Sequence, residues 1–293
     1  MTFNEEFTSK INIIDEYLHK YLTDRSDTPK EISEAMRYSV FAGGKRIRPV
    51  IMLSACEMLG GEKEDVIPYA CALEMIHTYS LIHDDLPAMD NSPLRRGKKT
   101  NHIVFGEAMA ILAGDGLLNY AFELILSSPC DDALKALKAS SYMAECSGVG
   151  GMIGGQVIDI LSENRSISSD TLRTLQEKKT SALIRAAAVC GAIIAGADSS
   201  QIKTLEDYAV NLGLAFQIKD DILDVEGESS KLGKPVGGDF EAHKNTYVSI
   251  YGIDKAKELL LKHTNKAKDA IASFGTKSEF LLSLTDYLLK RSN

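Results

Sequence analysis

The sequence predicts an all-α protein with a single large helical domain over residues 1–293. Apolar residues recur at helical spacing through most of the chain, whereas the period-two alternation of β-strands is scarce. The connecting segments are short, and none is rich enough in Pro, Gly and Ser to separate two domains. We expect about ten or more helices, which is more than a four-helix bundle contains.

Long helices are predicted in order along the chain, and capping residues mark several of their starts. Ser168 or Asp170 is the expected cap of the fourth of these helices, and Ser199 that of the fifth. Residues 180–197 are apolar nearly all round, so this segment should be central. Gly114 and Gly116 lie inside the third, where close packing between helices would account for them. The helices are predicted over residues 5–22, 65–85, 107–126, 170–197 and 200–225.

The bulk composition indicates a cytoplasmic protein that neither binds nucleic acid nor spans a membrane. The net charge is −8, whereas nucleic-acid binders are usually basic. The polar, acidic N-terminus has no apolar core of a signal peptide. The longest apolar run, residues 186–197, is shorter than the about 20 residues that cross a bilayer. The five cysteines form no C-x-x-C pair, which favours reduced, buried thiols.

Two acidic clusters follow apolar helical runs, and basic residues follow each cluster. Arg95 and Arg96 come after the first, and Lys234 comes after the second. One such cluster is typical of a solvated helix face, but its repetition favours a binding site. The first aspartate cluster is Asp84, Asp85 and Asp90, and the second is Asp220, Asp221 and Asp224.

The spacing of the second aspartate cluster suits a metal ion. Residues four apart share a helix face, so Asp220 and Asp224 should point the same way, with Asp221 beside them. Three like charges on a mostly apolar helix cost stability unless cations compensate them. Mg2+ prefers oxygen ligands and commonly joins carboxylates to substrate phosphates, so it is the expected ion.

The first aspartate cluster has a different spacing. Asp84 and Asp90 differ by roughly 240° around an ideal helix. They can share an ion only if the helix is distorted between them. Pro87 lies there, and a proline inside a helix kinks it. The sequence therefore predicts a kinked helix at this cluster.

A third charged segment, "FAGGKRIRP" at residues 41–49, places a glycine pair before Lys45, Arg46 and Arg48. Flexible backbone followed by Lys and Arg suits the binding of phosphate groups. Glycine pairs also merely join helices, so this segment alone decides little.

Together these segments resemble the trans-isoprenyl diphosphate synthases. The matching pieces occur in the family's order and cover nearly the whole chain. The two-residue expansion of the first aspartate cluster is similar to that of the bacterial short-chain branch, the farnesyl diphosphate synthases. The pieces are "GGKRIRP", "EMIHTYSLIHDDLPAMDNSPLRRGKKTNH", "VFGEAMAILAGDGLL", "GGQVIDI", "EKKTSALI", "GLAFQIKDDILDV" and "LGKPVGGD".

The resemblance implies a helical fold around a deep central cavity, a homodimer, and three Mg2+ ions per active site. It also implies the substrates, which are isopentenyl diphosphate and an allylic diphosphate, dimethylallyl or geranyl. The allylic diphosphate ionises, the double bond of isopentenyl diphosphate attacks the cation, and a proton leaves. Such chemistry depends on stabilising separated charge in a dry pocket, and it needs no nucleophilic side chain.

The resemblance also implies a role for each matching residue. The Mg2+ ligands are Asp84, Asp85, Asp90, Asp220, Asp221 and Asp224. Arg95 matches the arginine on the allylic diphosphate, and Lys45, Arg48, His77 and Arg96 match the isopentenyl diphosphate site. Lys179, Thr180 and Gln217 match groups beside the allylic carbons, where oxygen dipoles stabilise a developing cation. Lys234 and Lys244 match lysines that reach the leaving diphosphate, and Gln156 and Asp159 match residues along the cavity.

Tyr79 is the expected determinant of product length. It lies five residues before Asp84, about 7.5 Å deeper along an ideal helix, where the family has the floor of its pocket. A bulky aromatic there stops growth at fifteen carbons, and the small Ser80 leaves the other side open. The segment 91–93, Asn-Ser-Pro, departs from the family, whose members often have aspartates there. We expect this departure to weaken Mg2+ binding.

Other functions remain possible at this stage. A geranylgeranyl or geranyl diphosphate synthase would differ in pocket depth at Tyr79. A class I terpene cyclase has no use for an isopentenyl site, so Lys45, Arg48 and Arg96 argue against it. A non-catalytic partner subunit would be expected to lose aspartates, yet both clusters are intact.

Overall fold

The computed structural model describes residues 1–24, 26–226 and 245–290, and this part of the chain is almost entirely helical. It contains more than ten helices, which confirms the all-α prediction. The first half comprises α1 (Phe3–Tyr21), α2 (Lys30–Val40), α3 (Ile47–Met58), α4 (Lys63–Asp84), α5 (Asn101–Phe105), α6 (Glu107–Ser127) and α7 (Ala133–Ser147). The second half comprises α8 (Met152–Ser162), α9 (Ser169–Gln176), α10 (Ala182–Ile194), α11 (Ser199–Glu226), α12 (Tyr247–Tyr251), α13 (Ile253–Ile271), a 3₁₀ segment (Ala272–Ser278) and α14 (Glu279–Lys290).

Helix α10 forms the centre of the fold. It packs against α3, α4, α7 and α11, and every one of its residues except Arg185 is buried. A helix that is apolar all round has no face for solvent, so it must be enclosed by others. The central position expected for this segment is therefore confirmed.

The helix starts follow the capping chemistry of the sequence, with one difference. The Ser168 hydroxyl accepts the Thr171 N–H at 3.1 Å, as expected of a cap. Helix α11 is capped by Asp198 rather than Ser199. The Asp198 carboxylate accepts the Gln201 N–H at 2.9 Å, and the Gln201 amide oxygen accepts the Asp198 N–H at 3.0 Å. This reciprocal pair satisfies two N–H groups, which a single serine cannot do.

The segment predicted as one helix over 170–197 is two helices joined by a π-helical turn, Glu177–Ser181. Glycines of two neighbouring helices lie against this turn. A Cβ on Gly155 of α8 would be 2.3 Å from the backbone nitrogen of Lys179, and a Cβ on Gly213 of α11 would be 2.3 Å from Oγ of Ser181. A π turn leaves the apolar composition unchanged, so periodicity did not reveal it.

A short β-hairpin follows the first aspartate cluster. Strands β1 (Leu94–Arg95) and β2 (Lys98–Lys99) pair antiparallel, joined by Arg96 and Gly97. Both joining residues have positive φ, 52° and 74°, as a type I′ turn requires. Two-residue strands leave no alternating pattern, so the sequence did not predict this hairpin.

Helix α6 is long and apolar enough to cross a bilayer by length and composition, with a mean hydropathy of 1.4 in its most apolar window. Among the described residues no other helix meets this criterion. The sequence shows no uninterrupted apolar run here, because Asp115 and Glu123 interrupt the helix. Core helices of soluble proteins pass the same test, so α6 alone is weak evidence for a span.

The two glycines inside α6 differ in their surroundings. A Cβ on Gly114 would lie 2.0 Å from Nε2 of His83 in α4, whose ring is fixed by a 3.0 Å hydrogen bond to the carbonyl oxygen of Ile111. A Cβ on Gly116 would lie 3.1 Å from the sulfur of Met36. Close helix packing therefore explains Gly114 well and Gly116 less strictly.

We expect Gly114→Ala to lower the free energy of unfolding by about 2 kcal/mol, because the added methyl overlaps the His83 ring. Gly116→Ala is the matched control, since its gain in helix propensity of about 1 kcal/mol offsets a contact with a flexible side chain. Urea unfolding measures both. Equal effects of the two substitutions would contradict the close packing of α4 and α6 at Gly114.

Candidate active site

The two outer aspartates of the first cluster are brought together by a loop rather than by a kinked helix. Helix α4 ends at Asp84, so the expected kink at Pro87 is wrong. The Asp90 N–H donates to the Asp84 carbonyl oxygen at 2.9 Å, which closes the loop across six residues. Pro87 has no N–H to continue the helix. Asn91 adopts a φ of 46°, a left-handed conformation that Asn tolerates better than most residues.

Asp85 is held by Arg95 of the hairpin. Arg95 Nε donates to both carboxylate oxygens at 2.9 and 2.8 Å, and Nη2 donates to Oδ1 at 2.7 Å. Asp85 is only 3% exposed, and its burial raises its pKa although Arg95 opposes the shift. This fork fixes the direction of Arg95. Asp85 therefore serves Arg95 directly, and Asp84 and Asp90 are the better candidates for metal ligands.

Asp84 lies in a surplus of negative charge. Burial raises its pKa, Lys179 opposes the shift, and Asp90 and Asp85 add to it. Carboxylates crowded in this way suit a hard cation, so the donor set fits Mg2+. Within the described residues no three acidic, His or Cys side chains are close enough to enclose an ion by themselves. The oxygens of a bound ligand would have to complete the coordination.

Lys179 lies on the π-helical turn between two carboxylates. Its Nζ donates to Oδ2 of Asp159 on α8, and its charge acts on Asp84 at the end of α4. Three elements far apart in sequence therefore meet at this ammonium group. Asp159, for which the sequence offered only a place along the cavity, is the direct partner of Lys179.

A chain of hydrogen bonds orients Gln217 on α11. The Thr180 hydroxyl donates to Oε1 of Gln217 at 2.9 Å, and Nε2 of Gln217 donates to Oδ1 of Asp221 at 2.9 Å. The backbone N–H of Tyr247 donates to the second oxygen of Asp221 at 2.7 Å. A carboxylate only accepts, so Asp221 fixes which end of the Gln217 amide faces Thr180.

The three members of the second aspartate cluster differ in burial. Asp221 and Asp224 are 2% and 3% exposed, whereas Asp220 is more accessible. Asp221 has protein donors on both oxygens. Asp220 is therefore the member best placed to reach a ligand. The charge of Asp220 also acts on Arg48, which brings this cluster near the basic segment.

The basic segment after α2 divides into outward and inward residues. Lys45 is exposed, Arg46 is 4% exposed, and Arg48 is half-buried with its Nη1 3.3 Å from Nε2 of His77. Burial and the charges of Arg48 and Arg96 lower the pKa of His77 well below 6.5. The His77 ring is thus neutral at pH 7, and its nitrogen accepts from Arg48.

Arg96 connects the hairpin to the glycine pair. Its Nη1 donates to the carbonyl oxygen of Gly43, and a Cβ on Gly44 would lie 2.5 Å from the same nitrogen. Gly43 and Gly44 have φ of 104° and 140°. The two glycines therefore leave space for the Arg96 guanidinium and also permit the backbone turn. The structure brings Arg48, His77 and Arg96 together, next to Lys45.

Tyr79 lies in the wall of α4 that faces the protein interior. Its side chain is 5% exposed, and its ring meets the His83 ring edge-on at 5.8 Å. Among the described residues its hydroxyl has no hydrogen-bond partner. Burial and the charge of Asp84 raise the pKa of Tyr79 to about 12. The neighbouring Ser80 hydroxyl donates to the His77 carbonyl at 2.8 Å.

Two expected site residues, Lys234 and Lys244, lie outside the described residues. Sequence reasoning did not anticipate the partners of the site: Asp159 for Lys179, the hairpin for Arg95, and the buried carboxylate of Glu74 for Arg46. Of these partners, only the hairpin had a local signal in the sequence, which is the turn-forming pair Arg96-Gly97.

The chain is similar in sequence and in overall fold to several known proteins. The polyprenyl synthetase family profile matches residues 29–276. A farnesyl diphosphate synthase of Bacillus subtilis (strain 168) is 45% identical over 273 residues, 92% of each chain. The large subunit 1 of the heterodimeric chloroplastic geranylgeranyl pyrophosphate synthase of Arabidopsis thaliana is 47% identical over 272 residues, 90% of this chain and 73% of that protein. The apo crystal structure of an FPP/GFPP synthase from Zymomonas mobilis has a TM-score of 0.88 at 33% identity and 98% coverage of both chains.

The depressed pKa of His77 predicts a loss of stability in acid. Below pH 6.5 the unfolded chain binds a proton that the folded chain does not, so the free energy of unfolding falls by up to about 1.4 kcal/mol per pH unit. His77→Gln should reduce this slope between pH 6.5 and 5 in urea unfolding. His263→Gln is a comparison, since burial lowers the pKa of His263 to about 4. A His77→Gln slope equal to that of the unsubstituted protein would contradict the prediction.

Proposed function

The chain belongs to the polyprenyl synthetase family, and on this premise we propose that it is a Mg2+-dependent farnesyl diphosphate synthase. The observation that carries the proposal is the pairing of an acidic site with a basic one. Asp85 of the first cluster holds Arg95, the hairpin neighbour of Arg96, and the charge of Asp220 of the second cluster acts on Arg48. Both aspartate clusters therefore lie near one basic pocket. A carboxylate site for a metal-bound diphosphate next to a guanidinium site for a second diphosphate suits two anionic substrates.

The allylic substrate, dimethylallyl or geranyl diphosphate, binds at the aspartate clusters. Asp84, Asp90 and Asp220 would hold Mg2+, with assistance from Asp224. Asp85 and Asp221 orient Arg95 and Gln217. Three Mg2+ ions per site would neutralise the charge that develops on the leaving diphosphate. Arg95, fixed by its fork on Asp85, adds a direct contact to this diphosphate. The resemblance implies that Lys234 and Lys244, which lie outside the described residues, also bind this diphosphate.

Isopentenyl diphosphate binds in the basic pocket formed by Lys45, Arg48, Arg96 and His77. The neutral His77 ring accepts from Arg48 and so keeps the guanidinium directed at the phosphate. Two substrates bound side by side need no diffusional encounter, and this arrangement removes much of the entropic barrier to condensation.

The reaction breaks one bond and forms another without a protein nucleophile. The bond between the allylic carbon and the diphosphate oxygen breaks, and both electrons leave with the oxygen. The terminal alkene carbon of isopentenyl diphosphate then attacks the allylic cation, and a proton leaves to the released diphosphate. Thr180 lies on the π-helical turn next to Lys179 and donates to Gln217, which in turn donates to Asp221. The oxygens of Thr180 and Gln217 stabilise the cation as fixed dipoles.

Tyr79 limits the product to fifteen carbons. Its ring is buried on α4, five residues before Asp84, where a bulky side chain would block an elongating apolar tail. Ser80, turned back onto the His77 carbonyl, leaves the adjacent side open.

The protein acts as a cytoplasmic homodimer in this proposal. Apolar side chains of α5, α6 and α8 are exposed, including Ile103 at 48%, Leu112 at 55% and Val157 at 50%. A second copy would cover these faces, and such coverage also explains the apolar character of α6. Sedimentation equilibrium that gave the mass of a single chain would contradict the homodimer.

The proposed function is tested by incubating the protein with isopentenyl diphosphate, Mg2+ and either dimethylallyl or geranyl diphosphate. We expect mainly fifteen-carbon product from both starters and none when Mg2+ is chelated. Mainly twenty-carbon product would replace the farnesyl assignment with geranylgeranyl diphosphate synthase, as in the Arabidopsis relative. No elongation would overturn the synthase assignment and favour a partner subunit.

Replacing Tyr79 with Ala should shift the product from fifteen to twenty or more carbons, because the floor of the pocket becomes deeper. The matched control is Tyr69→Ala, which removes a buried tyrosine from the same helix ten residues earlier. Product length is measured by chromatography of the dephosphorylated alcohols. An unchanged fifteen-carbon product from a folded Tyr79→Ala variant would sink the role of Tyr79 as the floor.

A further inference from the structure

One buried guanidinium joins four helices beneath the basic pocket. Arg46 Nε donates to Asp15 of α1 at 2.8 Å, Nη1 donates to Glu74 of α4 at 2.9 Å, and Nη2 donates to the carbonyl oxygen of Val40 at 2.8 Å. Arg46 is also the residue from which α3 begins. All three nitrogens are used, and the Arg46 and Glu74 side chains are 3% and 2% exposed. No role in substrate contact is available to a side chain buried this deeply.

Arg46 adopts a backbone conformation that its neighbours must maintain. Its φ of 49° lies in the left-handed region, which is unfavourable for a non-glycine residue. Val40 is the last residue of α2, where helix carbonyls lack a partner within the helix. The fork of Arg46 satisfies that carbonyl and holds the turn. The chain therefore leaves α2 and enters α3 in one fixed path.

This path determines where the ligand-binding groups point. Lys45 directly precedes Arg46, and Arg48 follows it by two residues at the start of α3. The carbonyl oxygen of Gly43, three residues earlier, receives the Arg96 guanidinium. A movement of the turn would displace the groups on both sides of the pocket.

Glu74 supplies the negative charge under the cations. It lies three residues before His77 on α4, so the two share a helix face. Its charge favours the protonated forms of Arg46, Arg48 and Arg96. Glu74 thus offsets part of the repulsion between these cations.

We infer that Arg46, anchored by Glu74 and Asp15, is a positioning residue that pre-organises the isopentenyl diphosphate pocket without touching the ligand. The inference rests on the proposed function, because that function names the ligand. The effect should be selective, since the aspartate clusters and Arg95 are held by other partners.

The test measures the Kd of isopentenyl diphosphate and of geranyl diphosphate by titration calorimetry for the full chain and its variants. Arg46→Lys keeps the charge but loses the fork, and we expect about tenfold weaker isopentenyl diphosphate binding. Glu74→Gln keeps the shape but loses the charge. Removing a carboxylate near an anion site would by charge alone strengthen binding, so weaker binding in Glu74→Gln supports positioning.

The matched control is Glu57→Gln, which breaks the ion pair with Lys10 that also joins α1 to α3. It should leave both Kd values unchanged within about twofold. Urea unfolding confirms that each variant is folded at the assay temperature. Unchanged or tighter isopentenyl diphosphate binding in folded Arg46→Lys and Glu74→Gln overturns the inference, and so does equal weakening of both ligands.

The same samples separate this inference from the proposed function. Unsubstituted protein that binds isopentenyl diphosphate but makes no longer product would overturn the proposed reaction, and the Kd ratios would still decide the role of Arg46. Unsubstituted protein that binds no isopentenyl diphosphate would overturn the inference.

Discussion

Three of the charged groups at the site depend on a partner of opposite charge that lies behind them. Arg95 is held by Asp85, Lys179 by Asp159, and the basic turn by Glu74 through Arg46. Like charges gathered in a pocket repel one another, and a buried charge without a partner costs several kcal/mol. The partners therefore define the arrangement of the site. The helices that carry these partners compensate the charges of the site before a ligand binds.

Close approach of the backbone is the second requirement of this arrangement. The π-helical turn presents Lys179 and Thr180 only because α8 and α11 reach it at Gly155 and Gly213. A π turn widens the helix, so neighbouring elements must give way at those positions. The enclosed core around α10 makes these positions rigid. The positions of Lys179 and Thr180 therefore depend on the packing of α8 and α11 against the π-helical turn.

The sequence was most informative where one physical rule dominates. Helical periodicity predicted α1, α4, α6 and α11, and the uninterrupted apolar segment predicted the central helix α10. Local rules failed where tertiary contacts decide. Pro87 ends α4 instead of kinking it, because the loop after Asp84 closes through the Asp90 backbone. The charged partners of Lys179 and Arg46 come from helices 20 or more residues away, and no local pattern in a single sequence records such pairs.

Glu74, His77, Tyr79 and Asp84 all lie on one uninterrupted helix, α4. The insertion or deletion of one residue between Glu74 and Asp84 would turn one end relative to the other by about 100° and shift it by about 1.5 Å. Such a change would separate the two proposed substrate sites, whereas a substitution leaves their spacing intact. If Tyr79 sets the product length as proposed, new product lengths would arise by exchange of side chains along α4, while the length of the helix stays constant.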